Sequence, residues 1–161
     1  MRIPFSSAAL GACVAASAFV LDQTTKAVAV ANADLLTDGF AVVPGFNLVL
    51  VRNSGVSFGM LGDVPWWALA LVALAVCGWL AVLMTRTRDR GEAAGYGLII
   101  GGALGNIVDR GRLGGVTDFL DFYVGSAHWP AFNCADMGIF CGAAILIWSQ
   151  LFNARRESRA S

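Results

Sequence analysis

Residues 101–136 read GGALGNIVDRGRLGGVTDFLDFYVGSAHWPAFNCAD and decide the fold, because they set polar side chains between two strongly apolar segments. The acidic, amide and basic residues of this stretch are Asp109, Asp118, Asp121, Asp136, Asn106, Asn133, Arg110 and Arg112. An ionisable side chain at or near hydrocarbon costs roughly 2.5–3.5 kcal/mol on insertion, so by default it marks a functional site. The rest of the chain is predicted to be a frame that holds these carboxylates at one membrane surface.

The composition is that of an integral membrane protein. Of the 161 residues, 57% are hydrophobic and only 14% are charged, with a mean hydropathy of +0.67, whereas about a quarter of the residues of soluble proteins are charged. A formal net charge of +0 argues against nucleic acid as a partner. The four cysteines lie in or beside apolar segments and form no CxxC pair, so packing is their expected role, ahead of disulfide or metal chemistry.

The apolar segments predict an all-α membrane protein with four transmembrane helices in a single domain that covers residues 1–161. The predicted spans lie at about residues 5–32, 64–85, 93–108 and 131–153. The first span also fits a cleaved signal peptide with a small-residue cleavage site. Its apolar character resumes after Asp22 and Lys26, which favours a retained helix. These two charges are spaced i,i+4 on one helix face, and they are interpreted as a structural ion pair rather than as catalysts.

The third and fourth spans carry polar residues near one end. At about 1.5 Å per residue, the third span covers roughly 24 Å of a core about 30 Å thick, so Asp109 and Arg110 should lie at the interface. Its glycines recur at every fourth position, which predicts close packing of a neighbouring helix; they are Gly97, Gly101 and Gly105. Pro130 is predicted to start the fourth helix, which would put Asp136 about one and a half turns inside it.

Residues 34–63 are less hydrophobic and carry strand and turn signals. Two short β-prone runs joined by Pro44 and Gly45 predict a small hairpin between the first two spanning helices. An unpaired strand edge cannot face lipid, so this extracytoplasmic segment should lie outside the hydrocarbon or against protein. Asn53 and Gly55 follow the hairpin. Arg52 and Asn53 suit either hydrogen bonding to a peptide or an ordinary turn.

The basic residues predict the orientation. With four spans, one side of the membrane receives Arg2, Arg86, Arg88, Arg90, Arg155, Arg156 and Arg159. The opposite side receives Lys26, Arg52, Arg110 and Arg112. The positive-inside rule then places both termini in the cytoplasm and the aspartate-rich segment at the outer face.

Paired carboxylates in a partly dry site predict a definite chemistry. Two of them cannot both ionise comfortably, so they share a proton, and one acts on a water as a base while the other acts as an acid. Asp136 is the strongest candidate, since nothing ionisable in its own helix neutralises it. Asp109 has Arg110 beside it, which favours a structural role. Asp118 and Asp121 both remain possible partners, because spacing alone does not separate them.

Five ordered motifs give the chain a resemblance that covers nearly its whole length. They are DQTTK at 22–26, RNSGVSFG at 52–59, GNIVDR at 105–110, GGVTDF at 114–119 and FNCAD at 132–136. Together they resemble the successive motifs of the bacterial lipoprotein signal peptidases (signal peptidase II). The resemblance implies a four-helix aspartic endopeptidase of the bacterial inner membrane, with no cofactor or metal. Its substrates would be prolipoproteins, cut immediately before the cysteine that bears diacylglycerol.

The resemblance also assigns site residues. It implies that Asp118 and Asp136 are the catalytic pair, which selects Asp118 over Asp121. The residues expected to contact substrate or support the site are Asn53, Gly55, Asn106, Arg110, Asn133, Asp22 and Lys26. The expected partners are the diacylglyceryl-modified precursors and membrane lipid, and the expected oligomeric state is a monomer.

Other functions fit the sequence less well. A transporter could use carboxylates as a proton relay, but the charges gather at one face and no span carries a mid-membrane acid. A serine protease would depend on the single histidine, His128, which lies in a loop. The chain has no GxGD motif of the presenilin-like proteases. A purely structural membrane protein would leave the aspartates and asparagines at one face unexplained.

Overall fold

The computed structural model describes residues 6–53 and 65–160, with side chains described as far as residue 151. Its helices are α1 (Ser7–Ala31), α2 (Ala33–Leu36), α3 (Trp66–Arg86), α4 (Arg90–Leu113) and α5 (Cys134–Ala160). Its strands are β1 (Phe40–Val43), β2 (Phe46–Asn53), β3 (Val116–Val124) and β4 (Ala127–His128). The chain is thus mostly helical, with a small sheet formed by segments on either side of α3 and α4.

Three helices of the described chain are long and apolar enough to cross a membrane: Ser7–Ala31, Trp66–Arg86 and Cys134–Leu151. They overlap the predicted spans at 5–32, 64–85 and 131–153. The predicted span 93–108 lies inside α4, which has 24 residues and is therefore about 36 Å long. Glycines, Asn106 and charged ends make α4 less apolar than the other three.

Helix α4 lies between α1 and α5, and glycines allow the close approach on both sides. A Cβ atom at Gly97 or Gly101 would collide with the carbonyl oxygen of Gly11 or Ala15 in α1. On the other side, a Cβ at Gly102 would lie 2.5 Å from the carbonyl oxygen of Ala135 in α5. The close packing predicted from the glycine spacing is present, and it fixes α4 against both partner helices.

The sheet is larger than the predicted hairpin. Strands β1 and β2 form that hairpin, with Gly45 at φ +90° in the turn, but the antiparallel order is β1-β2-β3-β4. Strand β3 follows α4 and pairs with β2, so that Asp118 lies opposite Val51. The expectation of an all-α protein with one hairpin is therefore incomplete. Aspartates at 118 and 121 interrupt the apolar pattern of β3 and conceal it from a hydropathy argument.

Helix α5 begins later than predicted. Pro130 does not start it, because Phe132 is still extended and pairs with Leu120 of β3. The first helical residue is Cys134, so Asp136 lies in the first turn rather than one and a half turns inside. The Asp136 carboxylate therefore lies at the N-terminus of α5, close to the sheet.

Candidate active site

Strand β3 presents Asp118, whose side chain is almost fully buried, with 2% of the residue exposed. Asn53 at the end of β2 donates from Nδ2 to Asp118 Oδ2 at 3.1 Å. Asn133 donates from Nδ2 to Asp118 Oδ1 at 2.7 Å. Both carboxylate oxygens thus accept a hydrogen bond from an amide, one from the sheet and one from the segment that leads into α5.

Burial raises the pKa of the Asp118 carboxyl from 3.8 to about 6, because a low-dielectric surrounding disfavours the charged form. The negative charge of Asp136 acts in the same direction, while the amides of Asn53 and Asn133 and the charge of Lys26 oppose it. Asp118 can therefore gain or lose a proton near neutral pH.

Asp136 is held at the start of α5 by a reciprocal pair of hydrogen bonds. Its backbone N–H donates to Asn133 Oδ1 at 3.0 Å, and the N–H of Asn133 donates to Asp136 Oδ2 at 3.2 Å. This is the geometry of a capping box, in which the residue before the helix and the third helical residue satisfy each other. Asn106 of α4 donates from Nδ2 to the other oxygen, Asp136 Oδ1, at 2.9 Å.

Asn133 therefore binds both aspartates at once. It is completely buried, its amide oxygen accepts from the backbone of Asp136, and its amide nitrogen donates to Asp118. One of the two carboxylates belongs to β3 and the other to the first turn of α5.

Both carboxylates line one cavity of about 780 Å³. Its polar end also includes Asn53, Asn106 and Arg110. Its apolar wall is built from α3, α4, β3, α5 and the segment before α5. It consists of Ala73, Ala103, Val116, Trp129, Pro130, Ala131, Phe132, Met137, Ile139, Phe140 and Ala143. The cavity can thus hold a chain that is apolar over most of its length and polar where it meets the aspartates.

A buried charge network lies behind the aspartates. Lys26 Nζ lies 2.9 Å from Asp22 Oδ2 and 3.4 Å from Asp109 Oδ2, and it donates to Asn106 Oδ1 at 2.8 Å. The predicted ion pair between Asp22 and Lys26 is confirmed. Sequence reasoning paired Asp109 with Arg110 and missed the ion pair with Lys26, since no local pattern joins α1 to the end of α4.

The structure brings most of the predicted site residues together. Asn53, Asn106, Asn133 and Arg110 all lie beside the two aspartates or in the cavity wall. Lys26 is connected to the aspartates through Asn106, and Asp22 is paired with Lys26. Gly55 lies outside the described residues.

Asp121 points elsewhere and does not line the cavity. Its Oδ2 accepts from Asn47 Nδ2 at 3.1 Å, and both carboxylate oxygens lie 2.9 Å from His128 Nδ1. Sequence reasoning also missed the apolar wall, although Met137, Phe140 and Ala143 recur at helical spacing on one face of α5. Among the described side chains, no group of three or more His, Cys, Asp or Glu is arranged to hold a metal ion.

The chain is similar to known proteins over most of its length. The family model for Signal peptidase (SPase) II matches residues 14–152. The lipoprotein signal peptidase of Aeromonas hydrophila is 48% identical over 141 residues, which cover 83% of each chain. That of Oleidesulfovibrio alaskensis is 47% identical over 136 residues, or 81% of this chain and 86% of the relative. A bacterial membrane enzyme solved at 2.3 Å aligns with a TM-score of 0.76 at 26% identity, covering 89% and 88% of the two chains.

Fold, cavity and relatives together define an integral membrane peptidase. The chain belongs to the signal peptidase II family, the lipoprotein signal peptidases.

Proposed function

We propose that this protein is an aspartic endopeptidase that removes signal peptides from prolipoproteins by cutting before the diacylglyceryl-modified cysteine. Asp118 and Asp136 form the catalytic pair and share one proton. The observation that carries the proposal is that both carboxylates line one cavity and are joined through Asn133.

The reaction needs two carboxyl groups and one water. The ionised carboxylate removes a proton from the water, whose oxygen attacks the scissile carbonyl carbon. The protonated carboxyl gives its proton to the carbonyl oxygen, which forms a tetrahedral intermediate. When the carbon–nitrogen bond breaks, the proton taken from water passes to the leaving nitrogen. As the carbonyl of the product re-forms, one hydroxyl of the intermediate returns its proton to the other carboxylate, so the pair again holds one proton. No metal or cofactor takes part.

The substrate fits the two halves of the cavity. Asn53, Asn106, Asn133 and Arg110 offer hydrogen bonds to peptide groups at the polar end, and Gly55 belongs to the same substrate-binding set. The apolar wall between α3, α4 and α5 suits the signal peptide and acyl chains. A diacylglyceryl group keeps the scissile bond at the membrane surface, so lipid binding energy positions the bond for attack.

The membrane arrangement is proposed as four spans, with α4 as the third. Helix α4 lies between two apolar helices and is about 36 Å long, enough to cross a hydrocarbon core of about 30 Å. The excess of arginine at the termini and in the turn between α3 and α4 favours both termini in the cytoplasm. The sheet and the catalytic pair then lie near the outer face of the bacterial inner membrane. The protein acts as a monomer and binds no nucleic acid.

Cleavage of one precursor, supplied to the purified enzyme with and without its diacylglyceryl group, tests the proposal. We expect cleavage of the lipidated form alone, immediately before the modified cysteine, and no inhibition by a chelator. Asp118→Asn and Asp136→Asn should each abolish cleavage in folded protein. Full activity of either variant, or loss with chelator and recovery with zinc, would require a different mechanism.

A further inference from the structure

Two carboxylates outside the cavity hold the backbone immediately before each proposed catalytic residue. Asp22 Oδ1 in α1 accepts the N–H of Ala135 at 2.9 Å, and Ala135 directly precedes Asp136. Asp109 Oδ2 in α4 accepts the N–H of Thr117 at 2.9 Å, and Thr117 directly precedes Asp118. Each half of the catalytic pair is therefore anchored in the same way, although one half lies in a helix and the other in a strand.

Lys26 joins these two anchors. Its ammonium group contacts Asp22 at 2.9 Å and Asp109 at 3.4 Å. It also donates to Asn106 Oδ1, and the nitrogen of the same amide donates to Asp136. Lys26 is thus linked to Asp136 through Asp22 and through Asn106. It is linked to Asp118 through Asp109 and, along a second route, through Asn106 and Asn133.

The network is buried and closely fitted. Asp22, Lys26 and Asp109 are 0%, 3% and 4% exposed. Gln23 Nε2 donates to both carboxylates, at 3.1 Å to Asp22 and 3.3 Å to Asp109. A Cβ atom at Gly105 would collide with Asp22 Oδ2, so the carboxylate fits there because residue 105 is a glycine. Without the ammonium group, two anions would remain buried together at high cost.

We propose that Lys26 is a positioning residue that fixes the two catalytic carboxylates relative to each other. It acts through Asp22 on the helix side and through Asp109 on the strand side. The proposal rests on the function proposed above, since it assigns Lys26 a part in the same reaction. Lys26 is not among the residues that line the cavity, so we expect it to act through these partners rather than by contact with the substrate.

The charge of Lys26 has a second effect. It lowers the pKa of Asp118, which also faces the negative charge of Asp136 from α5. Arg110 of α4 interacts electrostatically with both aspartates. Removal of the Lys26 charge should therefore raise the pKa of Asp118 further and move the pH profile of cleavage upward.

Replacement of Lys26 by methionine keeps the length of the side chain and removes its charge and donors. We expect Lys26→Met to lower kcat on the order of 100-fold, the effect of a misplacement of about 1 Å at the reacting groups. KM for the lipidated precursor should stay within about two-fold, because no cavity residue changes. Lys26→Arg restores the charge and should recover part of the lost kcat and the original pH profile.

Amide hydrogen exchange, followed residue by residue by NMR in micelles, separates the two anchors. Asp22→Asn should speed exchange at Ala135 and leave Thr117 unchanged, whereas Asp109→Asn should do the reverse. Lys26→Met should speed both. These single-anchor variants also keep the test decisive if Lys26→Met does not fold, since exchange that is unchanged in both would overturn the proposal.

Glu92→Gln is the matched control. Glu92 is another carboxylate of α4, and it accepts from Thr87 at 2.6 Å and Ser149 at 3.0 Å at the far end of the helix. Its loss should lower thermal stability without moving the pH profile or the exchange at Ala135 and Thr117. A Lys26→Met variant with the wild-type kcat and pH profile would overturn the inference about Lys26 and leave the proposed function standing. Activity in Asp118→Asn would instead overturn the proposed function.

Discussion

Asn133 and Asp136 are hydrogen bonded to each other twice across the first turn of α5, at 3.0 and 3.2 Å. The carboxylate proposed for catalysis is therefore also the capping group that satisfies an otherwise unpaired N–H at the helix start. A negative charge at this end also interacts favourably with the helix dipole. Catalytic geometry and helix initiation thus depend on the same two side chains.

Asn133→Ala should accordingly reduce both stability and activity. Loss of the capping oxygen costs about 1 kcal/mol, and loss of the amide nitrogen frees Asp118 from its 2.7 Å hydrogen bond. We expect a lower Tm together with a fall in kcat of at least about ten-fold, measured on a lipidated precursor. Asn47→Ala is the matched control, because Asn47 donates to Asp121, outside the cavity. A normal kcat in Asn133→Ala would contradict this role.

Asp118→Asn should make the protein inactive and its stability less dependent on pH. A carboxyl whose pKa rises from 3.8 to about 6 on folding binds more protons in the folded state. The contribution of this carboxyl to the free energy of unfolding is therefore present at low pH. It falls by about 3 kcal/mol in total as the pH rises through the two pKa values. The asparagine variant has no carboxyl at this position and does not show this loss, although its single side-chain oxygen can accept only one of the two amide hydrogen bonds. Its Tm should therefore vary less than that of the wild type between pH 4 and 6. Equal pH dependence of Tm in both proteins would contradict the argument.

The helices and the hairpin could be predicted because their signals are local. Long uncharged runs and the Pro44-Gly45 turn need no tertiary information. Strand β3 could not be predicted, since its aspartates are tolerated only through partners far along the chain. The start of α5 was misplaced for the same reason: Phe132 stays extended because it pairs with Leu120.

The site residues also divide into those with a local sequence signal and those that depend on tertiary contacts. Asp136 stood out from the sequence as the single acid of an apolar helix, but spacing could not choose between Asp118 and Asp121. The resemblance to a family chose Asp118, and in the structure it is Asp118 that lines the cavity. The ion pair between Lys26 and Asp109 could not be predicted from the sequence, because it depends on the close approach of α1 to α4 that the glycines allow.

Gly102→Ala should disturb the catalytic helix, while Gly78→Ala should not. A Cβ at Gly102 would lie 2.5 Å from the carbonyl oxygen of Ala135, next to Asp136. Within the part of the chain that the structure describes, nothing lies within 4 Å of a Cβ at Gly78. Overpacking of this kind costs about 1–3 kcal/mol. We expect Gly102→Ala to have a lower Tm and a lower kcat, and Gly78→Ala to match the wild type. Equal kcat in the two variants would show that α5 can move away without disturbing the aspartates.

Asp121→Asn should keep most of the activity, in contrast to Asp118→Asn only three positions earlier. The side chain of Asp121 is turned away from the cavity and is bound by Asn47 and His128. An asparagine oxygen can still accept one of these two hydrogen bonds, so the other hydrogen bond and the negative charge are lost. Because the pair of Asp121 and His128 is partly exposed on the histidine side, we expect a decrease in stability of about 1 kcal/mol or less and a kcat within about three-fold of the wild type. The measurement is cleavage of the lipidated precursor by both variants at equal folded concentration. An Asp121→Asn variant as inactive as Asp118→Asn would reassign the partner of Asp136.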